Sequence, residues 1–227
     1  MEIIFKDNID KKFLRDSLQK SNKFKKWISN LESNFFVETV YIDNIYMFGP
    51  EKVGFICANV SCKDIHGNVL PGISFIRGDS VSIFVVIESI ETNEKYVLLV
   101  DQARVPAGKN ILESPAGMID EGIPSVKAIE ELQEEVGEDI DFSQSRLIEL
   151  ESGYTSPGGS DEFVTIYAYE IKMSEKDIDN LHGRITGNKD EKEYLTLKII
   201  PFDEVFSISE SIMTKLAAYS YKDKVSL

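Results

Sequence analysis

Glu130, Glu131, Glu134, Glu135 and Glu138 crowd one short stretch, AIEELQEEVGED, at residues 128–139. On a helix, residues three and four apart are neighbours, so Glu131, Glu134 and Glu135 share a face and their carboxylates can converge on a cation. Two like charges about 4 Å apart repel by about 1 kcal/mol in water and about 4 kcal/mol at an effective dielectric of about 20. A partly buried triplet therefore needs a counter-charge. No lysine stands four residues after any of these glutamates, so the counter-charge must come from elsewhere. Oxygen donors with no histidine or cysteine nearby favour a hard ion, Mg2+ or Mn2+, and such ions serve phosphate chemistry. The alternative is a solvated acidic helix face.

The elements around the glutamates must do the positioning. Pro124 suits a first helical turn and Gly137 a stop just past the end. Between them Val126, Ile129, Leu132 and Val136 form the apolar stripe, with the three glutamates on the opposite side. From Asp79 onward, SVSIFVVIES and KYVLLVDQARV are dense in β-branched residues and predict central strands of a mixed sheet. RLIELESGYT, EFVTIYAYEI and YLTLKIIPFDEV predict further strands, and a closing helix follows from about Asp203 to Tyr219. Strands carrying two helices suggest an α/β sandwich. The first third predicts a smaller attachment. It contains a helix over Asn22–Glu32, with Phe24, Trp27, Ile28 and Leu31 at helical spacing and Trp27 read as core. The strand-like runs FFVETVYID, NIYMFG, VGFICANVSCKD and GISFIRG then form an antiparallel sheet. The domains expected are residues 1–78 and 79–227. The polar stretch 183–193, GRITGNKDEKE, is the most loop-like part of the interior.

The chain has 227 residues and a net charge of −14, with 39 acidic against 25 basic side chains. That field argues against nucleic acid or an anionic membrane as partner. A spacing of five puts Cys57 and Cys62 on opposite faces of a strand, which argues against a disulfide and for reduced thiols. His66 and His182 have no ligand-like neighbours, so a zinc site has no material. No segment has the length to span a bilayer, and the start resembles no secretion signal. A cytoplasmic enzyme or binding protein is the expectation.

The stretch from Gly117 to Gly137 resembles the Nudix hydrolase signature, G-x5-E-x7-R-E-U-x-E-E-x-G with U aliphatic. EELQEEVG matches its second half except at the first position. QARVPAGKNILESPAGMIDEG and TSPGGSDEFVTIYAY are similar to the segments flanking that box in ADP-ribose and ADP-sugar diphosphatases, and similarity extends over about residues 22–220. The resemblance implies a Nudix-type α/β/α sandwich with an N-terminal sheet domain through which relatives form a homodimer. It implies a divalent-metal-dependent diphosphatase that cleaves a nucleoside diphosphate sugar, ADP-ribose or ADP-glucose, to AMP and a sugar phosphate. It makes Glu131, Glu134 and Glu135 metal-binding, the latter two also catalytic, with the Ala116 carbonyl as a further metal ligand. Glu162 takes the place of the loop glutamate that serves as base or metal ligand, with Asp161 as second choice. Arg77 and Arg104 become phosphate contacts, and Glu113 a hydrogen-bonding or supporting residue. Which aromatic stacks on the base stays open.

Two positions depart from the pattern. Glu130 stands where the signature has arginine, and Ile123 where it has its first glutamate, with one residue missing between them. In the family that arginine orients the catalytic carboxylates. Its absence keeps open a nucleotide-sugar binding module without turnover, or a Nudix enzyme for another nucleoside diphosphate derivative. Glu121 is a candidate for the vacated acidic place.

Overall fold

The computed structural model describes residues 1–9, 11–137, 139–187 and 194–225. Glu138 and most of the polar stretch at 183–193 lie outside the described residues. The chain divides into two units: Met1–Asp79 with Tyr154–Phe163, and Ser80–Gly153 with Val164–Leu227. The segment 154–163 falls in the first unit, whereas the sequence suggested the second domain for it.

The first unit contains β1 (Glu2–Phe5), α1 (Lys12–Lys20), α2 (Asn22–Asn34), β2 (Phe36–Met47), β3 (Val53–Lys63), β4 (Val69–Leu70) and β5 (Ile73–Ile76). β1 lies parallel to β2, β2 antiparallel to β3, and β3 antiparallel to both β4 and β5. The runs expected as two strands are one long β2. A bulge at Asp43 shifts its register by one residue, so that Val40 and Ile42 are followed on the inner face by Ile45. Ile56, Ala58, Val60 and Cys62 fill the inner face of β3. Cys57 stands on the outer face, and both thiols are free, as their odd spacing predicts. α2 starts where expected: the Ser21 hydroxyl accepts from the Phe24 amide at 3.4 Å. Phe24 is buried, and Trp27, Ile28 and Leu31 pack against the same core. β1 and α1 are additions to the expected elements; α1 is short, with Leu14 and Leu18 buried one turn apart and Phe13 exposed among charged residues.

The second unit contains β6 (Ser80–Ser89), β7 (Lys95–Arg104), β8 (Lys109–Glu113), β9 (Ala116–Met118), α3 (Pro124–Glu135), β10 (Leu147–Tyr154), β11 (Phe163–Met173), α4 (Glu175–Leu181), β12 (Ile185–Thr186), β13 (Leu195–Pro201), α5 (Val205–Ile208) and α6 (Ile212–Val225). Its eight-stranded sheet runs β10-β11-β6-β7-β13-β12, with β8 on β7 and β9 on β6. β6 is parallel to β11 and antiparallel to β7, so the sheet is mixed. Alternation along β6 sends Val81, Ile83, Val85 and Ile87 to one core with Ala128, Leu132, Val136, Ile178 and Leu181. Phe84 and Val86 go to the other core with Val205, Ala217, Ala218 and Tyr221. Helices thus cover both faces of the sheet in an α/β/α sandwich. The closing helix expected as one piece is two, α5 and α6, separated at Ser209–Ser211. At that break the Ser209 hydroxyl donates to the Leu112 carbonyl at 2.7 Å. Among the described residues no helix is long and apolar enough to cross a membrane.

Candidate active site

In the second unit, β9 lies antiparallel to β6, pairing Gly117 with Val81 and Ala116 with Ser82. Val81 faces the core under α3, so Gly117 faces α3 as well. A Cβ on Gly117 would stand 1.8 Å from Glu131 Oε1 and 1.9 Å from its Cδ. The missing side chain is the space that Glu131 occupies. The segment ahead of β9 is fixed from both sides. The Ser114 amide donates to Thr214 Oγ1 of α6 at 2.9 Å, and the Ile83 amide to the Pro115 carbonyl at 2.8 Å. The Ala116 carbonyl therefore belongs to a strand held by the sheet and by α6.

α3 begins at Pro124 and stops before Gly137, as the turn residues predict. Its buried face differs from the apolar stripe. Ala128, Glu131, Leu132 and Glu135 are buried, Glu131 at 6% and Glu135 at 1%, while Val126 is 42% exposed. Glu134 and Glu130 face solvent. Glu131 and Glu135 thus lie on the packed side of the helix, contrary to a solvated acidic face. The counter-charge also differs from expectation. It comes from the turn before the glutamates: Lys127 Nζ is 2.7 Å from Glu131 Oε1 and 3.6 Å from Glu130 Oε2. Desolvation works against the charge on Lys127, but the hydrogen bond and charge of Glu131, aided by Glu134 and Glu130, outweigh it and hold its pKa above the ordinary value. Among the described residues no three His, Cys, Asp or Glu side chains gather to hold a metal ion. Lys127 sits on one of the three candidates and solvent surrounds another. The donor set nevertheless suits a hard cation in kind. It offers oxygen atoms only, and a glycine opens the approach to the buried carboxylate.

Arg104 and Glu113 come together across the β7–β8 hairpin. The Arg104 Nε donates to Glu113 Oε1 at 2.6 Å. Glu113 is registered opposite Val100, a residue of the core under α3, so this ion pair lies on the α3 face of the sheet. Glu121, in the turn before α3, is exposed, as is Ile123, whose side chain gives the helix no cap.

In the first unit, Arg77 and Glu162 come together. Arg77 Nη2 is 3.4 Å from Glu162 Oε1, and Thr155 Oγ1 donates to Glu162 Oε2 at 2.8 Å. The Arg77 guanidinium also stands 5.8 Å from the centre of the Phe55 ring. Its Nε is buried with no acceptor among the described residues. Asp161 turns to the backbone: its Oδ1 accepts from the Arg77 and Gly78 amides at 2.7 and 3.1 Å. Burial pushes the Asp161 carboxyl above the ordinary range, opposed by these hydrogen bonds and assisted by the nearby Asp79 charge. Lys127, Thr155, Thr214 and Phe55 are site-forming residues beyond those read from the sequence. Of these, only Lys127 carried a signal, its i,i+4 spacing ahead of Glu131.

No family model matches the chain. It is similar to Nudix hydrolase 14, chloroplastic, of Arabidopsis thaliana, at 32% identity over 212 residues that cover 85% of this chain and 67% of the relative. It is also similar to an ADP-ribose pyrophosphatase of Bacillus subtilis (strain 168), at 30% identity over 53% of this chain and 59% of the relative. The chain therefore spans about two thirds of the first relative's length and less of the second's. A crystal structure described as an ADP compounds hydrolase shares the fold, with a TM-score of 0.55, 16% identity, and 84% of this chain and 96% of that one covered. Helices on both faces of a mixed sheet, a glycine cradling a buried helix glutamate, and identity sustained over most of the chain converge on one assignment: the protein belongs to the Nudix hydrolase family.

Proposed function

We propose that the protein is a Mg2+- or Mn2+-dependent diphosphatase that hydrolyses ADP-sugars, ADP-ribose or ADP-glucose, to AMP and a sugar phosphate. The observation that carries the reading is Glu131, buried against Gly117 one residue from the Ala116 carbonyl, with Glu134 and Glu135 within the next turn. The names of the relative from Bacillus subtilis and of the structural neighbour support the substrate class. Nudix hydrolases act with divalent cations. Here Glu131, Glu134, Glu135 and the Ala116 carbonyl would hold one, and Lys127 must leave Glu131 for it. When bound, such a cation neutralises the diphosphate oxygens and makes a water nucleophilic.

The remaining roles fall to side chains. Glu162, held by Thr155 and Arg77, accepts the proton of the attacking water. The new P–O bond forms as the bridging P–O bond breaks, and the leaving phosphate takes the electron pair. Arg77 and Arg104, the latter steadied by Glu113, bind diphosphate oxygens. Tyr41, Tyr46, Phe48 and Phe75 leave aromatic surface exposed on the N-terminal unit, which favours a homodimer built there. The two reduced cysteines favour a cytoplasmic setting.

Purified protein is incubated with ADP-ribose and ADP-glucose, with Mg2+ or with a chelator, and AMP is measured. Mg2+-dependent release of AMP is expected, and release no faster than from Glu135→Gln overturns the reading. Tight ADP-ribose binding without turnover supports instead the binding module that Glu130 favours. Faster turnover of another nucleoside diphosphate derivative reassigns the substrate.

A further inference from the structure

Glu162 is carried by a segment, 154–163, that folds as part of the first unit. Within that unit the segment is tied to the end of β5. The Phe75 amide donates to the Gly159 carbonyl at 2.8 Å, and Phe75 forms a parallel bridge with Ser160. The Ser156 carbonyl accepts from the Gly159 and Ser160 amides, closing a tight turn. Asp161 completes the attachment, its Oδ1 on the Arg77 and Gly78 amides and its Oδ2 3.3 Å from the Gly78 amide. Gly78 turns there with φ of 81°, a backbone that glycine adopts without strain. A Cβ on it would come 3.1 Å from that of the buried Lys23.

Successive side chains of an extended segment point in opposite directions. Asp161 points into the β5 turn and Glu162 toward the Arg77 guanidinium. Both oxygens of Asp161 are engaged with main-chain amides of the turn after β5. Glu162 is met instead by side chains, Thr155 and, at a longer 3.4 Å, Arg77, which can give way to the water that a general base must reach. We infer that Asp161 is a positioning residue that clamps the Glu162 loop to the Arg77–Gly78 turn, setting Arg77 and Glu162 in one register and taking no proton itself. This rests on the reading in which Arg77 binds phosphate and Glu162 is the base.

Asp161→Asn and Asp161→Ala, made in the full chain, separate clamp from base. An asparagine carbonyl oxygen can still accept from both amides but cannot act as a base; an alanine does neither. Backbone hydrogen exchange at Arg77 and Gly78 is expected to stay within about threefold of wild type in Asp161→Asn, which keeps the bonds in neutral form, and to be about tenfold faster or more in Asp161→Ala, which loses them. With ADP-ribose and Mg2+, Asp161→Asn is expected to stay within about threefold of wild type. Asp161→Ala is expected to lose about 100-fold in kcat/KM, shared between a higher KM through Arg77 and a lower kcat through Glu162. An Asp161→Asn variant as inactive as Glu162→Gln overturns the inference, and that result stands even if Asp161→Ala fails to fold. Unchanged exchange and kinetics in Asp161→Ala overturn it too. If wild type hydrolyses no ADP-sugar, the functional reading fails, while the exchange data still uphold or overturn the clamp.

Discussion

Gly117→Ala tests the core of the site. The new Cβ would stand 1.8 Å from Glu131 Oε1, 1.9 Å from Cδ and 2.6 Å from Cγ, where ordinary contact begins near 3.4 Å. The strand cannot yield easily, because Gly117 is paired with Val81 and the segment ahead of it is bonded to Thr214. Glu131 must therefore swing away and break its 2.7 Å bond with Lys127. Overpacking of this kind costs about 1–3 kcal/mol. A ligand moved by more than about 1 Å lowers turnover about 100-fold. Urea unfolding measured by circular dichroism, Mn2+ binding by isothermal calorimetry and AMP release report the three consequences. Gly153→Ala, where a Cβ meets nothing within 4 Å, is the control and is expected to behave as wild type. A Gly117→Ala variant within about 0.5 kcal/mol of wild type, with Mn2+ affinity and turnover unchanged, would refute the close packing of Glu131 as the basis of the site.

Lys127→Met keeps the aliphatic stem and removes the positive charge that pairs with the buried Glu131. It is expected to lose about 1–3 kcal/mol without metal, less than a fully buried pair because Lys127 is partly exposed, and to regain part of that with Mn2+; equal thermal melts with and without the ion would contradict this. The same pair predicts a pH dependence. A lysine whose folded pKa is raised contributes its full stability below the unfolded value of about 10.4 and loses it as pH climbs through the higher folded value. Wild type should therefore lose more stability than Lys127→Met in this alkaline window, and parallel curves would reject the ion pair. Thr214→Val, nearly isosteric, leaves the buried Ser114 amide and hydroxyl without their acceptor. It is expected to cost about 1–3 kcal/mol in urea unfolding, and a change below about 0.5 kcal/mol would show that the anchor contributes little.

Much of the fold is local in origin. Pro124 and Gly137 bracket α3, and the β-branched runs of β6 and β7 announce central strands. The box from Gly117 to Gly137 points to the family from residue types and spacing alone, as do Arg77, Arg104, Glu113 and Glu162 as residues of interest. The bulge at Asp43, α1 and the break at Ser209–Ser211 escape such a reading. The bulge is defined by the pairing of β2 with β3, and the break carries a bond from Ser209 to Leu112, far off in sequence.

What tertiary structure alone decided is which charges are buried and what compensates them. Periodicity ranks positions by hydrophobicity, so it put Val126 inside and the glutamates outside. In the folded chain Glu131 and Glu135 are buried because Gly117 vacates the space against one of them and Lys127 supplies its counter-charge. The pairing of Arg104 with Glu113 depends on hairpin register, and that of Arg77 with Glu162 on a loop returning to a strand far behind it in sequence. A charge is buried at acceptable cost only when partners meet it; Lys127 meets Glu131 through local helix spacing, whereas Gly117, Glu113 and Glu162 reach their partners by strand pairing and helix packing that residue spacing does not encode.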